Sequence, residues 1–341
     1  MLSAMDVHGN PSSIHGEGRQ VRKLMDDARE QLAFAFGCLP QMITFTSGGT
    51  EANNMALRSV GAEHIVVSAV EHPSVLAAAK ATGKTVELIP VDEFGRVRLD
   101  ALQALLGRPN TLVSVMRANN ETGIVQPIAD VIDLAHKAGA LVHVDAVQAV
   151  GKLQVNFGLW GCDMMTVAAH KVGGPVGIGA LLVRDGLVIE PMLVGGGQEL
   201  RRRAGTENIA AIVGFAAVLA EPQLATTELQ ETLESSLPDA LIFSAGGERL
   251  SNTTCFAIAG MTAETLLMSL DLAGFAVSAG SACSSGKVGR SHVLDAMGVD
   301  TAISSGAIRV SLGWNSTKDD VERFITTLNA LQARARARRA A

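Results

Sequence analysis

The chain has 341 residues, of which 48% are hydrophobic, 4% are aromatic and none is tyrosine, so its core must be aliphatic. This apolar content excludes a disordered chain, and the net charge of −6 argues against the concentrated positive field that nucleic-acid binding requires. No uncharged apolar stretch reaches the ~20 residues of a membrane span, and the N-terminus does not resemble a signal peptide. We therefore expect a cytoplasmic protein that binds neither nucleic acid nor membranes.

Helices and short apolar strands alternate along the first part of the chain. Apolar side chains recur at three- and four-residue steps over residues 17–36 and Gly37 follows, which predicts an amphipathic helix. Nearly continuous apolar strands between helical patterns are typical of a mostly parallel mixed sheet sandwiched between helices, an α/β architecture. These strands are predicted at residues 42–45, 64–67, 86–89, 111–115, 141–144, 164–167 and 178–182.

The pattern changes after a helix predicted at residues 207–220. A polar helix is predicted at 226–237, strands near 241–243, 254–256 and 308–310, and a final helix from Thr317. We expect a domain boundary near Pro222, with a large domain at 1–222 and a smaller α+β domain at 223–341.

Polar residues follow several strands, at the positions where open α/β sheets bind ligands. Residues 46–51 read Thr-Ser-Gly-Gly-Thr-Glu and open a helix, so they can hold a phosphate at its N-terminus. Thr50 as an ordinary N-cap explains the same residues equally well. Asp145 follows a buried strand and needs a cationic partner, which Lys171 could supply in a simple ion pair.

One cofactor accounts for these residues together. Pyridoxal 5′-phosphate needs a lysine for its Schiff base, a carboxylate at its ring nitrogen and a flat side chain over the ring. It also needs a donor at its phenolic oxygen and a helix N-terminus for its phosphate. These needs are met, in that order, by Lys171, Asp145, His72, Gln148 and the pair Gly49-Thr50.

Short motifs occur in a fixed order along the chain. They include Ser-Gly-Gly-Thr-Glu at 47–51, Glu-His at 71–72, Asn-Asn-Glu-x-Gly at 119–123 and His-Val-Asp-Ala-x-Gln at 143–148. They continue with His-Lys-x-x-Gly-Pro at 170–175, Gly-Gly-Gly-Gln-Glu at 195–199, Arg-x-Gly-Thr at 203–206 and Ser-Ala-Cys-Ser-Ser at 281–285. Together they resemble the cysteine desulfurases, which are fold-type I, class V pyridoxal-phosphate enzymes. The loop after Cys283 resembles that of the housekeeping and nitrogen-fixation branch.

The resemblance implies a role for each matching residue. Lys171 would hold the cofactor, His72 would stack on its ring and assist proton transfers, and Cys283 would be the nucleophile. Arg309 would bind the substrate carboxylate, and Asn120 would contact both substrate and cofactor. The implied cofactor ligands are Gly49, Thr50, His72, Asn120, Asp145, Gln148, His170, Lys171 and Thr206, the last from the other subunit of a homodimer. No metal is implied.

The implied reaction removes sulfur from L-cysteine, giving L-alanine and a persulfide on Cys283. The sulfur would pass to an acceptor, such as an iron–sulfur scaffold protein or the machinery of tRNA thiolation. Two alternatives stay open: selenocysteine lyase or cysteine sulfinate desulfinase activity, and a catalytically impaired binding or regulatory protein of the same fold. Cys38, Cys162 and Cys255 are scattered, so we expect ordinary packing for them, without disulfides or zinc.

The sequence departs from the family pattern in three places. Family members begin with an Asp-x-x-Ala-Thr-Thr-Pro segment, whereas this sequence starts just before Gly9; either an upstream extension exists or a wall of the site is lost. Ala168 stands where a phosphate-binding serine is usual, which predicts weaker cofactor retention. Val194 and the pair Arg201-Arg202 replace family residues near the expected subunit interface, which affects dimer affinity.

Overall fold

The computed structural model describes residues 1–221, 224–237, 239–279 and 290–340, with residues 338–340 as backbone only. The described residues cluster into two compact units. The first unit contains residues 1–89, 98–117 and 127–223, and the second contains 90–97, 118–126 and 224–341. Two short segments from the first half of the sequence, 90–97 and 118–126, therefore lie with the second unit.

The strands of the first unit are β1 (Ile43–Thr46), β2 (His64–Ser68), β3 (Thr85–Ile89), β4 (Thr111–Ser114), β5 (Leu141–Asp145), β6 (Met164–Ala168) and β7 (Gly179–Val183). In the described part of this unit they form one sheet in the order β1-β7-β6-β5-β4-β2-β3. Because β7 runs antiparallel to both neighbours, all the other strands share one direction and end at the same edge. The predicted mostly parallel mixed sheet is confirmed.

The helices of the first unit are α1 (Leu2–Met5), α2 (Gly16–Phe36), α3 (Gly49–Arg58), α4 (Pro73–Ala81), α5 (Leu99–Leu105), α6 (Ile128–Lys137), α7 (Phe157–Trp160) and α8 (Ile209–Leu219). Helix α2 confirms the amphipathic prediction, since Val21, Met25 and Leu32 are buried on one face. Gly37 ends the helix at φ +62°, where its N–H bonds back to the last turn.

The core of the first unit is aliphatic, as the composition requires. Strands β2, β4, β6 and β7 are buried along their whole length. Strand β3 is the exception, because it is the last strand of the sheet and is largely exposed up to Ile89. Over the described residues, no helix is both long and apolar enough to cross a membrane.

The second unit contains α9 (Thr227–Ser235), β8 (Ala240–Ile242), β9 (Thr253–Ile258), α10 (Ala263–Leu272), β10 (Ser278–Ala279), α11 (His292–Ala296), α12 (Thr301–Ser304), β11 (Ile308–Ser311) and α13 (Lys318–Ala340). Its strands pair antiparallel in the order β10-β11-β9-β8. Phe256, Leu266, Ile308 and Phe324 are buried between this sheet and its helices. The predicted α+β character of this region matches the observed elements.

Candidate active site

The turn from β1 into α3 leaves open space beside a helix N-terminus. Gly48 has φ +151°, and a Cβ added there would meet no atom within 4 Å. Gly49 opens the helix, and a Cβ on it would lie 3.0 Å from Val147 Cγ2, so a larger residue would have to displace Val147. Thr50 is exposed. Backbone N–H groups and a hydroxyl therefore meet open space, an arrangement that suits a phosphate.

Asp145, the last residue of β5, is a buried carboxylate whose two oxygens both accept hydrogen bonds. Its Oδ1 accepts a hydrogen bond from Val147 N (2.9 Å), and its Oδ2 accepts one from Asn53 Nδ2 (2.8 Å). No salt bridge to a lysine or arginine of the described ranges accompanies these two hydrogen bonds. Burial raises the pKa of the Asp145 carboxyl, opposed by these hydrogen bonds and by the charge of protonated His72.

A second carboxyl group, Glu71, lies near Asp145 and is fully buried. Its Oε1 accepts a hydrogen bond from Met116 N at 2.5 Å. Burial, and then the charge of Asp145, raise the pKa of Glu71 well above its ordinary value. Because two neighbouring buried carboxylates repel one another, we assign the proton to Glu71 and the negative charge to Asp145.

His72 follows β2 at the same sheet edge and caps α4. Its Nδ1 accepts a hydrogen bond from Ser74 N (3.1 Å) and lies 2.7 Å from Ser74 Oγ. The preceding β2 residues are buried, whereas the His72 ring is half-buried. The ring is thus fixed on one side by the helix that it caps.

Strand β6 ends in Ala168 and continues into a 3₁₀ turn over residues 169–171. His170 and Lys171, both in this turn, are exposed. Burial, followed by the charges of Lys171, His72 and Lys152, lowers the pKa of His170. Ala168 Cβ lies 3.7 Å from the position that a Cβ on Gly49 would occupy, so this methyl group borders the α3 turn.

Gln148 follows β5 and is oriented by Lys152, whose Nζ donates to Gln148 Oε1 at 2.9 Å. Because the oxygen of the amide is occupied in this way, its Nε2 group is the end that can donate to a ligand. This is the orientation that a hydrogen bond to a phenolic oxygen requires.

Residues 199–201 form a strained left-handed turn, with φ of 45° at Glu199, 58° at Leu200 and 65° at Arg201. Glu199 is buried and fixes the turn, because its carboxylate pairs with Arg29 at 2.6 Å and accepts from Phe45 N at 2.8 Å. The strained backbone therefore depends on an ion pair with α2.

Thr206 lies just beyond this turn and is exposed. Between them Arg203 pairs with Glu51 of α3, with Nε donating to Oε1 at 2.8 Å. The Glu51 carboxylate also accepts from Ser47 N at 2.7 Å. These contacts tie the segment that carries Thr206 to the helix that starts at Gly49.

The second unit carries a guanidinium group with unused donor capacity. Arg309 on β11 donates from Nη1 to Asn120 O (2.5 Å) and from Nη2 to Ser278 Oγ (3.3 Å). Its buried Nε has no hydrogen-bond partner. A carboxylate ligand would satisfy the remaining donors.

Glu121 lies beside this guanidinium and is buried. Burial raises the pKa of its carboxyl to about 7, opposed by a hydrogen bond from Ser291 and by the charge of Arg309. Ser291 Oγ donates to Glu121 Oε2 at 2.5 Å and also caps α11. Glu121 therefore links the Asn120 loop to the start of α11.

The predicted nucleophile Cys283 lies outside the described residues. Cys38, Cys162 and Cys255 are free thiols, the last two buried. Burial raises the pKa of Cys38 to about 11, and burial followed by the Glu121 charge raises that of Cys255 to about 12. Burial likewise raises the Cys162 pKa. These thiols are poor nucleophiles. No cluster of potential metal ligands occurs in the part of the chain that the structure covers.

Sequence reasoning did not identify Asn53, Ser74, Lys152 or the Glu121–Ser291 pair. The only sequence signal for Asn53 is its polarity at a position four residues after Gly49, on a helix face that turns out to be buried. Ser74 and Lys152 lie two and four residues from His72 and Gln148, but no motif marks their roles, and the Glu121–Ser291 pair joins distant segments.

Comparison with known proteins identifies the family to which the chain belongs. The aminotransferase class-V family model matches residues 3–324. The chain therefore belongs to the aminotransferase class-V family, in the group of the cysteine desulfurases.

That group is defined by relatives matched over nearly the whole chain. A protein of Dictyoglomus turgidum named cysteine desulfurase IscS is 38% identical over 95% of this chain and 87% of its own length. A cysteine desulfurase of Nostoc is 41% identical over 97% of this chain and 88% of its own. A solved NifS-like protein from Rickettsia africae is 36% identical with a TM-score of 0.90, covering 97% of this chain and 94% of that one.

Pyridoxal 5′-phosphate is the cofactor of this family, and the first unit fits it. The turn at Gly48 leaves room for an anion beside a helix N-terminus, and the Asp145 carboxylate is buried with only hydrogen bonds from Val147 and Asn53 to its oxygens. A phosphate and a protonated pyridine nitrogen are the two groups that would satisfy these features.

Proposed function

We propose that this protein is a cysteine desulfurase that converts L-cysteine to L-alanine and leaves the sulfur as a persulfide on Cys283. The reaction balances, since the thiol sulfur of the substrate moves to the Cys283 thiol and the Cβ of the substrate gains a hydrogen. Similarity to named cysteine desulfurases over almost the whole chain supports the assignment.

The observation that carries the proposal is the buried Asp145 carboxylate, which accepts hydrogen bonds from Val147 and Asn53 but forms no salt bridge with a lysine or arginine of the described residues. Burying an unpaired charge is costly, so such a group is retained where a ligand supplies the opposite charge. A protonated pyridine nitrogen is such a ligand. When bound, the cofactor supplies an electron sink that labilises bonds at the α-carbon and β-carbon of an amino acid.

The remaining residues of the first unit would hold this cofactor. Lys171 would provide the Schiff-base amine, Gly49, Thr50 and His170 would bind the phosphate, and Gln148 would donate to the phenolic oxygen. His72 would lie against the ring and assist proton transfers. The orientation of Gln148 by Lys152 and the half-buried position of His72 support these roles.

The second unit would bind the substrate carboxylate through Arg309. A guanidinium donates two parallel hydrogen bonds to a carboxylate, and the buried Nε without a partner supports such a ligand. Asn120, whose carbonyl oxygen already accepts from Arg309, would contact the substrate and cofactor on this side. Cys283, on the C-terminal domain at 223–341, would attack the substrate sulfur as its thiolate.

We further propose a homodimer in which Thr206 of one subunit contacts the phosphate bound to the other. Large apolar side chains are exposed on the same unit as Thr206, namely Val176, Leu193, Val194 and Leu200, with Val176 81% and Val194 82% exposed. Exposed apolar residues in such number favour a protein interface. A cytoplasmic location suits three free thiols, and the acceptor would be a scaffold protein for iron–sulfur clusters or a tRNA-thiolating enzyme.

The proposal is tested by rates on L-cysteine, L-selenocysteine and cysteine sulfinate, measured for the wild type and for Cys283→Ala. We expect Cys283→Ala to abolish turnover of L-cysteine and to spare the other two substrates. Equal turnover of L-cysteine by both proteins would contradict the role of Cys283. Loss of the visible cofactor band in Lys171→Ala, but not when the exposed Lys84 is replaced in Lys84→Ala, tests the lysine assignment.

A binding or regulatory protein without catalysis is the other outcome. Purified wild-type protein that stays colourless when pyridoxal phosphate is added would support it and would exclude the enzymatic proposal.

A further inference from the structure

We propose that Asn53 and Ser74 are positioning residues that hold His72 in one tautomer, with its proton on Nε2, and join it to Asp145. The proposal refines the chemistry of the proposed function and rests on it for its catalytic meaning. Its structural content depends only on hydrogen bonds within the first unit.

The four side chains form a continuous hydrogen-bonded chain. The amide Nδ2 of Asn53 donates to Asp145 Oδ2 at 2.8 Å and to Ser74 Oγ at 2.9 Å. Ser74 Oγ then lies 2.7 Å from His72 Nδ1. The chain therefore runs from the carboxylate at the end of β5, through α3, to the residue that caps α4.

Counting hydrogens fixes the direction of each bond. An amide nitrogen has two hydrogens and no acceptor site, so Asn53 Nδ2 must donate to both partners. Ser74 Oγ receives one of these hydrogens, which leaves its own hydroxyl hydrogen to donate to His72 Nδ1. Ser74 N also donates to this nitrogen at 3.1 Å. His72 Nδ1 therefore accepts from two donors and carries no hydrogen, so the hydrogen of the neutral ring is on Nε2.

The opposite orientation of the Asn53 amide is unfavourable. It would place Oδ1 against the Asp145 carboxylate, so that two acceptors would face one another. In the observed orientation Asn53 Oδ1 is buried without a hydrogen-bond partner. The amide thus leaves its own oxygen unsatisfied in order to donate twice, which indicates that Asp145 and Ser74 set its orientation.

The consequence for the reaction is that His72 presents a hydrogen-bond donor, not an acceptor, on the side of the ring away from α4. Removing the Ser74 hydroxyl would weaken this preference and uncouple His72 from Asp145. Removing the Asn53 amide would also take a donor from Asp145 and weaken its hold on a cationic ring.

The test is the ¹⁵N spectrum of the His72 ring in the cofactor-free protein at pH 8, assigned by the signal lost in His72→Gln. We expect a bare, hydrogen-bonded Nδ1 and a protonated Nε2 in the wild type, a tautomer mixture in Ser74→Ala, and restoration in Ser74→Thr. A protonated Nδ1 in the wild type, or identical spectra for wild type and Ser74→Ala, would overturn the proposal.

A second measurement keeps the inference separate from the proposed function. We expect Asn53→Ala to weaken binding of pyridoxal phosphate to the cofactor-free protein at least about tenfold, since a hydrogen bond to a charged group is lost. The adjacent Asn54→Ala, which removes two exposed hydrogen bonds, one to Thr50 O and one from Arg58 Nη1, should bind normally. Equal affinities for the two variants would contradict the role of Asn53. If the ¹⁵N pattern holds but L-cysteine is not turned over, the proposed function fails and the tautomer assignment stands.

Discussion

The two units differ in the sign of the charged group that each presents to a ligand. At the sheet edge of the first unit, Asp145 is a buried carboxylate that accepts hydrogen bonds from Val147 and Asn53, with no salt bridge to a lysine or arginine of the described residues. In the second unit, Arg309 is a guanidinium whose buried Nε has no acceptor. The difference indicates that the first unit is built for a cationic ligand group and the second for an anionic one. A pyridinium ring and an amino-acid carboxylate have these charges.

The two units also differ in how their buried groups respond to pH. In the first unit His143 is fully buried between Ser114 Oγ and Thr166 Oγ1, each at 2.9 Å, and burial lowers its pKa to about 3. In the second unit burial raises the pKa of Glu121 to about 7. In the folded protein His143 resists protonation, whereas Glu121 favours it. As pH rises, the contribution of His143 to stability therefore increases and that of Glu121 decreases.

The largest expected effect comes from removing the charge of Asp145. We expect Asp145→Asn to lower kcat for alanine formation at least about 100-fold, because the ring nitrogen loses the carboxylate that would keep it protonated. Glu71→Gln is the matched control, since Glu71 already carries a proton and a glutamine retains the acceptor for Met116 N. A similar loss of kcat in both variants would show that the two carboxyl groups are not distinguished in this way.

The pH contrast is tested with the buried thiols as local probes. The Glu121 pKa is raised from 4.5 to about 7, so the folded state binds more protons and stability falls as pH rises through this range. The contribution is on the order of 3 kcal/mol, or roughly 100-fold in the opening equilibrium. The labelling rate of Cys255, divided by its rate in urea-unfolded protein at each pH, should report this decline. Glu121→Gln should flatten the profile.

The pH dependence that His143 gives to stability should have the opposite sign, and the labelling rate of Cys162 should report it. Its pKa is lowered from 6.5 to about 3, so stability is complete above 6.5 and falls as pH decreases towards 3. His143→Gln should remove this acid-dependent part of the Cys162 profile. An unchanged difference between wild type and variant across the range would contradict the assignment of a neutral buried His143.

Arg309→Lys tests whether the second unit binds an anionic ligand group. The substitution keeps the positive charge but loses the planar pair of donors, so we expect the KM for L-cysteine to rise about 10- to 100-fold with a smaller change in kcat. Steady-state kinetics at saturating cofactor measure both constants. An unchanged KM would remove Arg309 from the substrate site.

The smallest expected effect is an increase in the affinity for pyridoxal phosphate. Ala168→Ser restores a hydroxyl beside the Gly49 turn, and we expect about tenfold tighter binding of pyridoxal phosphate from one added hydrogen bond to the phosphate. Thr166→Ser, at a neighbouring buried position, is the control for nonspecific changes in β6 and should leave the affinity unchanged. Equal affinities in Ala168→Ser and wild type would show that this position does not reach the phosphate.

The sequence was sufficient for elements with strong periodicity and insufficient for contacts between distant segments. The helix at 17–36, the parallel strands and the placement of Asp145 after β5 follow from local pattern, since strand ends in a parallel sheet meet at one edge. The hydrogen bonds that Asp145 accepts from Val147 and Asn53 could not be read from the sequence. Segments 90–97 and 118–126 join the second unit through non-local packing, which apolar periodicity does not encode.

Some functional residues are recognisable from sequence motifs, whereas the roles of others become visible only in the folded structure. Lys171 was identified from the cofactor's need for a lysine and Arg309 from the resemblance, and the structure adds the buried Nε of Arg309 and the exposed position of Lys171. Asn53 and Ser74 carried no motif, because their importance comes from the bonds that join α3, α4 and β5. Cys283 stays a prediction from the Ser-Ala-Cys-Ser-Ser motif.

The central claim is that L-cysteine transfers its sulfur to Cys283 in a protein loaded with pyridoxal phosphate. Incubation with L-cysteine, followed by mass spectrometry of the peptide that contains Cys283, measures it directly. The account predicts one added sulfur atom on Cys283, alanine formed in equal amount, and unmodified Cys38, Cys162 and Cys255. Alanine formation with no sulfur on Cys283, or sulfur on a different cysteine, would contradict it.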